Sequence, residues 1–373
     1  MRVGFLSGKN YRSRTSFSGI VHAMRVALGG RQRLSVIDLG HESQRLRVQL
    51  KRRVGLGKRD PDLRHPRARA RFERLIRQQL RDRHLDVLFA PVASVELGAV
   101  GGSLPAVYAS DVTFRLLDGF YDHGYDAARV AYEEGLEQTA IARATRLLYP
   151  SRWAADSAVR DYGARESQID IAQFGANLLQ VPDPELLHRE PSRGDLRLLF
   201  VGRDYARKGG EIALETTAAL RARGYDARLT VVGCVPPRRE PGVEVIAYLN
   251  KDDPAQAQRL RDLYHEAHVF LFPTRADCSP IALCEAAAFG LPAVCTDLAG
   301  IPDIVADGAG VLLPLSAGGD AYAIRIHELV EDPERYQELT AATRRAYDER
   351  LNWDAWAARA EASLRQAVAD ARG

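Results

Sequence analysis

Along the chain, short runs of aliphatic and β-branched residues alternate with longer stretches in which apolar positions recur every three or four residues. The runs predict strands over 2–6, 34–38, 87–90, 106–108, 147–149 and 169–172, with helical patterns between most of them. The second half restarts the rhythm, with strands over 196–201, 228–232, 243–247, 269–272 and 293–295 and helices near 210–223, 255–267 and 281–289. Parallel strands need a crossover connection, and a helix is the usual one, so this alternation predicts parallel sheets covered on both faces. The predicted fold class is α/β, with two doubly wound Rossmann-like domains facing each other across a cleft. The first domain is expected over 1–185 and the second over 194–352. The Pro- and charge-rich segment VPDPELLHREPSRGD, 181–195, reads as the linker. From about 320 the chain is patterned as helix to its end.

In open α/β sheets ligands bind beyond the carboxyl ends of the strands, so the chemistry is sought there. In LLFVGRDYARKGGEIALE, 198–215, an apolar strand ends at Gly202. Arg203 and Lys208 follow in a loop, and two glycines open a helix. Arginine offers a planar fork to a phosphate and lysine a point charge. The second constellation is VFLFPTRADCSPIALCEAAAFGLPAVCTDLAGIPDIV, 269–305. It runs strand, turn, helix, strand, Gly turn, helix. Asp277 stands in the turn and Glu285 about two helical turns further on. A helix N-terminus attracts anions because its first N–H groups have no intrahelical partner. Carboxylates beside such a site suit a ligand with both phosphate and hydroxyl groups, and a nucleotide-sugar meets that description.

On these motifs the chain resembles the family 4 retaining glycosyltransferases of the GT-B fold, over most of its length and most strongly from about 196 to 315. The family has two glutamates separated by seven residues, then a small-residue helix and G-x-P. This chain has Asp277, seven residues, Glu285, then AAAFGLPAV and AGIPDIV. The resemblance implies retaining, metal-independent transfer of a sugar from a nucleoside diphosphate donor. It makes Gly202, Arg203 and Lys208 the diphosphate loop and gives Glu285 the donor ribose. It gives Asp277 the donor sugar and the N–H groups around Cys278, Ser279, Pro280 and Ile281 its phosphate. Backbone at Gly233–Cys234 and at Tyr248 and Leu249 would read the base, which stays unread among uracil, guanine and adenine. In the first half, Gly19 matches a Gly-containing loop near the donor phosphates. Asp111, in YASDVTF, occupies a loop where relatives often carry histidine; it would bind a donor hydroxyl or orient the acceptor, or merely start a turn. QFGAN, 173–177, matches a strand-end turn shaped by Gly175 and Asn177. The helix from about 355 to 373 is expected to pack back on the first domain, with Trp353 and Trp356 as core anchors. Two departures stand out. Asp277 is one methylene shorter than the family glutamate, and Pro280 replaces a glycine and removes a backbone donor.

Charge and cysteine usage narrow the partners. Residues 1–190 hold 30 Lys+Arg against 22 Asp+Glu, and the rest 22 against 27; fifteen of the basic residues fall between Arg45 and Arg83. That region is either a solvated arginine face or a site of peripheral contact with anionic membrane or an anionic acceptor. Without a recognition motif or aromatic platform, nucleic acid is not an expected partner. Cys234, Cys278, Cys284 and Cys295 form no CxxC pair, so reduced thiols and no zinc are expected. The D-x-D at Asp60–Asp62 reads as a helix cap, and His123, in FYDHGYD, reads equally as a surface loop residue or as a functional one. No signal peptide or membrane span is legible, so the expected location is cytoplasmic, with the inner membrane face as a peripheral option. No cofactor is expected; the donor is a substrate. The acceptor, whether glycan, lipid-linked or small molecule, stays open. Two further functions remain: a nucleotide-sugar-binding scaffold without transfer activity, and a nucleotide-sugar epimerase of the same fold.

Overall fold

The computed structural model describes residues 1–7, 16–38, 66–81, 83–100, 102, 104–121, 124–178, 180–187 and 189–372. Asp60–Asp62, His123 and residues 45–65 of the basic region lie outside the described residues. The chain forms two compact units. The first comprises Met1–Arg12, Val21–Ala172 and Ala357–Gly373, and the second Ser13–Ile20 and Gln173–Trp356.

The first unit contains a parallel six-stranded sheet built from β1 (Arg2–Ser7), β2 (Arg33–Asp38), β3 (Val87–Pro91), β4 (Ala106–Ala109), β5 (Arg146–Tyr149) and β6 (Ile169–Ile171), in the order β2-β1-β3-β4-β5-β6. β3 and β4 are buried at every residue, as strands with helices on both faces must be. Ile76 of the helix Pro66–Arg81 is buried in this core, with Phe72 and Leu80 packed against it, while Arg71, Arg74, Arg77 and Arg81 are exposed. The end of the chain, Ala357–Gly373, belongs to this unit. There Arg31 pairs with Glu361 at 3.6 Å, Arg146 with Asp370 at 3.4 Å, and Arg359 donates to the Ile171 carbonyl at 3.1 Å.

The second unit contains β7 (Leu196–Val201), β8 (Ala227–Val232), β9 (Val243–Ile246), β10 (Val269–Phe272), β11 (Ala293–Thr296) and β12 (Val311–Leu313), all parallel, in the order β12-β11-β10-β7-β8-β9. Successive side chains on a strand face opposite ways. Accordingly Phe270 and Phe272 enter one core with Tyr264 and Phe289, while Val269 and Leu271 enter the other with Phe200 and Tyr322. Asp253-Pro254 and Asp332-Pro333 start two helices here. Each aspartate accepts from an N–H three residues on, and each proline occupies a first-turn position that needs no N–H donor.

The expected linker is not one. The division falls at Ala172–Gln173, and 181–195 lie within the second unit. Arg189 is 4% exposed and donates to the carbonyls of Ala267 (2.8 Å) and Tyr264 (3.1 Å), at the C-terminal end of the helix Pro254–Glu266. A cation is favoured there by the helix dipole and by carbonyls that lack helical donors. Gly175 and Asn177 shape a packed turn. A Cβ at Gly175 would meet the Trp353 backbone nitrogen at 2.4 Å, and the Trp353 indole N–H donates to Asn177 Oδ1 at 3.0 Å. Trp356 is 1% exposed, as expected of a core anchor.

Candidate active site

The loop after β7 begins where Gly202 donates its N–H to the Val232 carbonyl at 2.9 Å. Asp204 then organises the turn, its side chain accepting from the Arg207 N–H at 3.0 Å and its carbonyl from the Lys208 N–H at 2.9 Å. Gly209 follows with φ 76°, and a Cβ there would sit 1.9 Å from the Pro273 carbonyl oxygen. Only glycine satisfies both demands. Arg207 fastens this loop to the one after β10, donating to the Ala276 carbonyl at 2.7 Å, while the Arg275 N–H donates to the Arg207 carbonyl at 2.7 Å.

That fastening brings Lys208 against Asp277. The ammonium donates to Asp277 Oδ2, both side chains are 13% exposed, and the Lys208 nitrogen lies 4.9 Å from the Phe272 ring centroid. Burial, and after it the neighbouring Arg207, draw the Lys208 pKa down to about 7. The carboxylate contact works in the opposite sense by favouring the charged form. Lys208 and Asp277, expected to serve the donor's diphosphate and sugar, thus hold each other in the donor-free protein.

The helix Ile281–Ala288 starts just beyond. Pro280 is its cap residue and makes no side-chain capping bond, and the first turn contains no acidic residue. Proline at the cap lacks one of the four N–H groups that a helix start leaves unpaired, and the Leu283 N–H donates to the Pro280 carbonyl at 3.2 Å. Cys278 is buried, its carbonyl accepting from Gly300 N–H at 3.1 Å. Ser279 is 9% exposed, and its hydroxyl has no hydrogen-bond partner among the described residues. Ala299 in the adjoining AGIPDIV turn has φ 52°, a conformation costly for a residue with a Cβ. Within the helix Glu285 is 1% exposed; it accepts from Lys251 Nζ at Oε1 and from the Tyr264 hydroxyl at Oε2, 3.1 Å. The Arg203 guanidinium carbon, on the loop after β7, stands 5.4 Å from the ring centroid of Tyr248 on the loop after β9, with both residues exposed, while Leu249 packs against the core.

Sequence reasoning missed Lys251, Tyr264 and Arg207. Lys251 reads as a solvated loop cation between Asn250 and Asp252, and nothing in the pattern signals that it turns toward a carboxylate 34 positions on.

Asp111 and Gly19 are on other elements. Gly19 is buried in the first turn of the helix Ser16–Gly29. Asp111 follows β4 in a turn where the Ser110 hydroxyl donates to the Val112 carbonyl at 2.7 Å, and Thr113 and Ser157 hydroxyls meet at 2.6 Å. Desolvation pushes the Asp111 carboxyl up to about 6. Glu137, unremarked in the sequence, is buried nearby. It accepts from the Tyr108 hydroxyl at 2.9 Å, and burial raises its carboxyl to about 7 despite that bond. Among the described residues no group of three or more His, Cys, Asp or Glu is arranged to hold a metal ion. No described helix is long and apolar enough to cross a membrane.

Residues 195–332 match the family described as Glycosyl transferases group 1. The D-inositol 3-phosphate glycosyltransferase of Paenarthrobacter aurescens is 26% identical over 318 residues, covering 80% of this chain and 76% of the relative. Its namesake from Nocardiopsis dassonvillei is 28% identical over 225 residues, 55% of this chain and 52% of the relative. Among solved structures, sucrose-phosphate synthase from Thermosynechococcus elongatus superposes with a TM-score of 0.70 at 15% identity, covering 99% of both chains. Anabaena HepE in complex with UDP-glucose gives 0.62 at 15% identity, over 98% of this chain and 100% of that one. At such identities the structural likeness speaks for the fold; the motifs and the family match speak for the activity. With the Arg203–Lys208 loop and the Asp277–Glu285 spacing on adjacent strand ends, the chain has the GT-B fold, and its second unit, through residues 195–332, is similar to the family 4 glycosyltransferases.

Proposed function

We propose that the protein transfers a sugar from a nucleoside diphosphate sugar to an acceptor hydroxyl, with retention of anomeric configuration and without a metal ion. The observation that carries this reading is the site in the second unit. Lys208 and Asp277, 69 positions apart, are paired beside a helix start with an unpartnered buried hydroxyl, and a buried carboxylate lies further along that helix. Arg203 and Lys208 would neutralise the diphosphate, with the first-turn N–H groups and Ser279 taking the remaining phosphate oxygens. As the bond from the anomeric carbon to the phosphate oxygen breaks, negative charge grows on that oxygen, and these fixed donors stabilise it. Asp277, released from Lys208 when the diphosphate takes its place, would meet the sugar hydroxyls. Glu285 would accept from the ribose. Asp111 would orient the acceptor or bind a donor hydroxyl.

Relatives named for D-inositol 3-phosphate make phosphorylated polyols the first acceptors to screen, and a structural neighbour holding UDP-glucose makes uridine the first base. The exposed arginines of the helix Pro66–Arg81 support peripheral contact with anionic membrane at the cytoplasmic face. Co-sedimentation with vesicles that does not change with anionic lipid content would remove that part. For the reaction itself, the protein is incubated with donor and acceptor panels in EDTA and products are read by mass spectrometry and NMR. Transfer with the donor's anomeric configuration is expected. Inversion, or loss of turnover in EDTA that divalent metal restores, would refute the retaining or the metal-free part respectively.

A further inference from the structure

The loop between β9 and the helix Pro254–Glu266 carries a lysine that the motif pattern does not assign. Lys251 has a 21% exposed side chain, and its ammonium lies on a carboxylate that is almost wholly buried. A buried carboxylate is costly unless it is paired and hydrogen-bonded. Lys251 supplies the charge for Glu285 Oε1, and the fully buried Tyr264 supplies a hydroxyl for Oε2. A carboxylate has about four acceptor positions, so these two donors leave capacity for a vicinal diol. The lysine's own position is fixed by its loop. Asn250 N–H donates to Gln256 Oε1 at 2.8 Å, and Asn250 Oδ1 accepts from the Asp252 N–H at 3.0 Å. The same loop presents Tyr248 to Arg203. One loop therefore joins a cation of the diphosphate loop to the carboxylate of the helix Ile281–Ala288.

We propose that Lys251 is a positioning residue for donor recognition: it fixes the Glu285 carboxylate in the orientation that receives both ribose hydroxyls, and so sets a preference for ribonucleotide over 2′-deoxyribonucleotide donors. This rests on the assignment of Glu285 to the ribose. An ammonium on one oxygen and a phenol on the other leave the carboxylate plane little freedom to rotate, and a bidentate contact with a diol depends on that plane. Methionine at 251 would keep the stem and lose the charge; arginine would keep the charge.

The test is calorimetric titration of the full chain with UDP, GDP and ADP, each beside its 2′-deoxy counterpart. Wild type is expected to favour the ribo form of the base it accepts. Lys251→Met should weaken the ribo form about tenfold, the effect of losing one charge-supported hydrogen bond, and the deoxy form far less. Lys251→Arg should restore the preference. On a Glu285→Gln background Lys251→Met should add no further loss. If Glu285→Gln leaves the ribo preference intact, the assignment of Glu285 fails and this inference with it. If Glu285→Gln abolishes the preference while Lys251→Met retains it, or if Lys251→Met adds its full loss on the Gln background, only the inference about Lys251 is overturned. Matching melting curves show that the Met variant is folded, and Lys251→Gln, read against the same outcomes, replaces it if it is not.

Discussion

Replacing Lys208 by methionine separates the stability and binding roles of the Lys208–Asp277 pair. The change keeps the aliphatic stem over Phe272 and removes the ammonium, leaving the Asp277 carboxylate 13% exposed without this partner. Breaking a fully buried pair costs about 3–5 kcal/mol, and the residual solvent access here lowers the expected destabilisation to about 2 kcal/mol. Asp277→Asn added to Lys208→Met removes the stranded charge and should recover about 1 kcal/mol, readable by urea unfolding as a non-additive double-mutant cycle. Binding should suffer more. A hydrogen bond to a charged group contributes about 1.5–3 kcal/mol, so nucleoside diphosphate affinity should fall about 10- to 100-fold by calorimetry. The pH dependence adds a second signature. Because burial and Arg207 hold the ammonium near a pKa of about 7, a bound diphosphate must draw a proton back above that pH. Wild-type affinity should therefore weaken as pH rises above 7, by at most about tenfold per unit, and the methionine variant should lose that slope. A variant as stable as wild type, binding diphosphate within about twofold and with an unchanged pH slope, would refute the reasoning.

Three further outcomes follow from the same geometry. Gly209→Ala combines a left-handed backbone with a Cβ 1.9 Å from the Pro273 oxygen, and should cost more than about 2 kcal/mol in thermal unfolding while displacing Lys208 and weakening diphosphate binding. Ala299→Gly relieves a positive φ of 52° and should raise stability by about 0.5–1 kcal/mol in the same assay, with donor affinity as the check that the turn is kept. Glu137→Gln tests the buried acid of the first unit. Its folded pKa is raised from 4.5 to about 7, so the folded state holds a proton that the unfolded state releases, and stability is full below about pH 4.5 and lost as pH rises through 7. The glutamine variant should flatten that decline and be more stable at pH 8 by up to about 3 kcal/mol; an unchanged profile by pH-dependent melting would remove this reading.

The strands were legible because each is an apolar run that must be buried on both faces. β7 and β10 have the bounds the pattern predicts. β12 was missed because Val311–Leu313 is three residues long and its middle residue, Leu312, is exposed, too short for any period to declare itself. The segment 181–195 misled because prolines and charges ordinarily mark solvent, whereas Arg189 is buried by carbonyl acceptors that only the folded helix end provides. Glu285 was found by spacing, but its partners were not. Lys251 comes from the loop after β9 and Tyr264 from the helix Pro254–Glu266, and their meeting with Glu285 depends on the sheet order β10-β7-β8-β9 rather than on any local pattern.

The claim that the second unit binds a nucleoside diphosphate sugar through Lys208 and Glu285 is tested most directly by calorimetry with UDP-, GDP- and ADP-sugars on wild type and on Glu285→Ala. One donor should bind the wild type saturably, and the variant should bind it at least about tenfold more weakly while melting as a folded protein. Donor affinity that Glu285→Ala leaves unchanged, or no binding of any donor to the wild type, would contradict it.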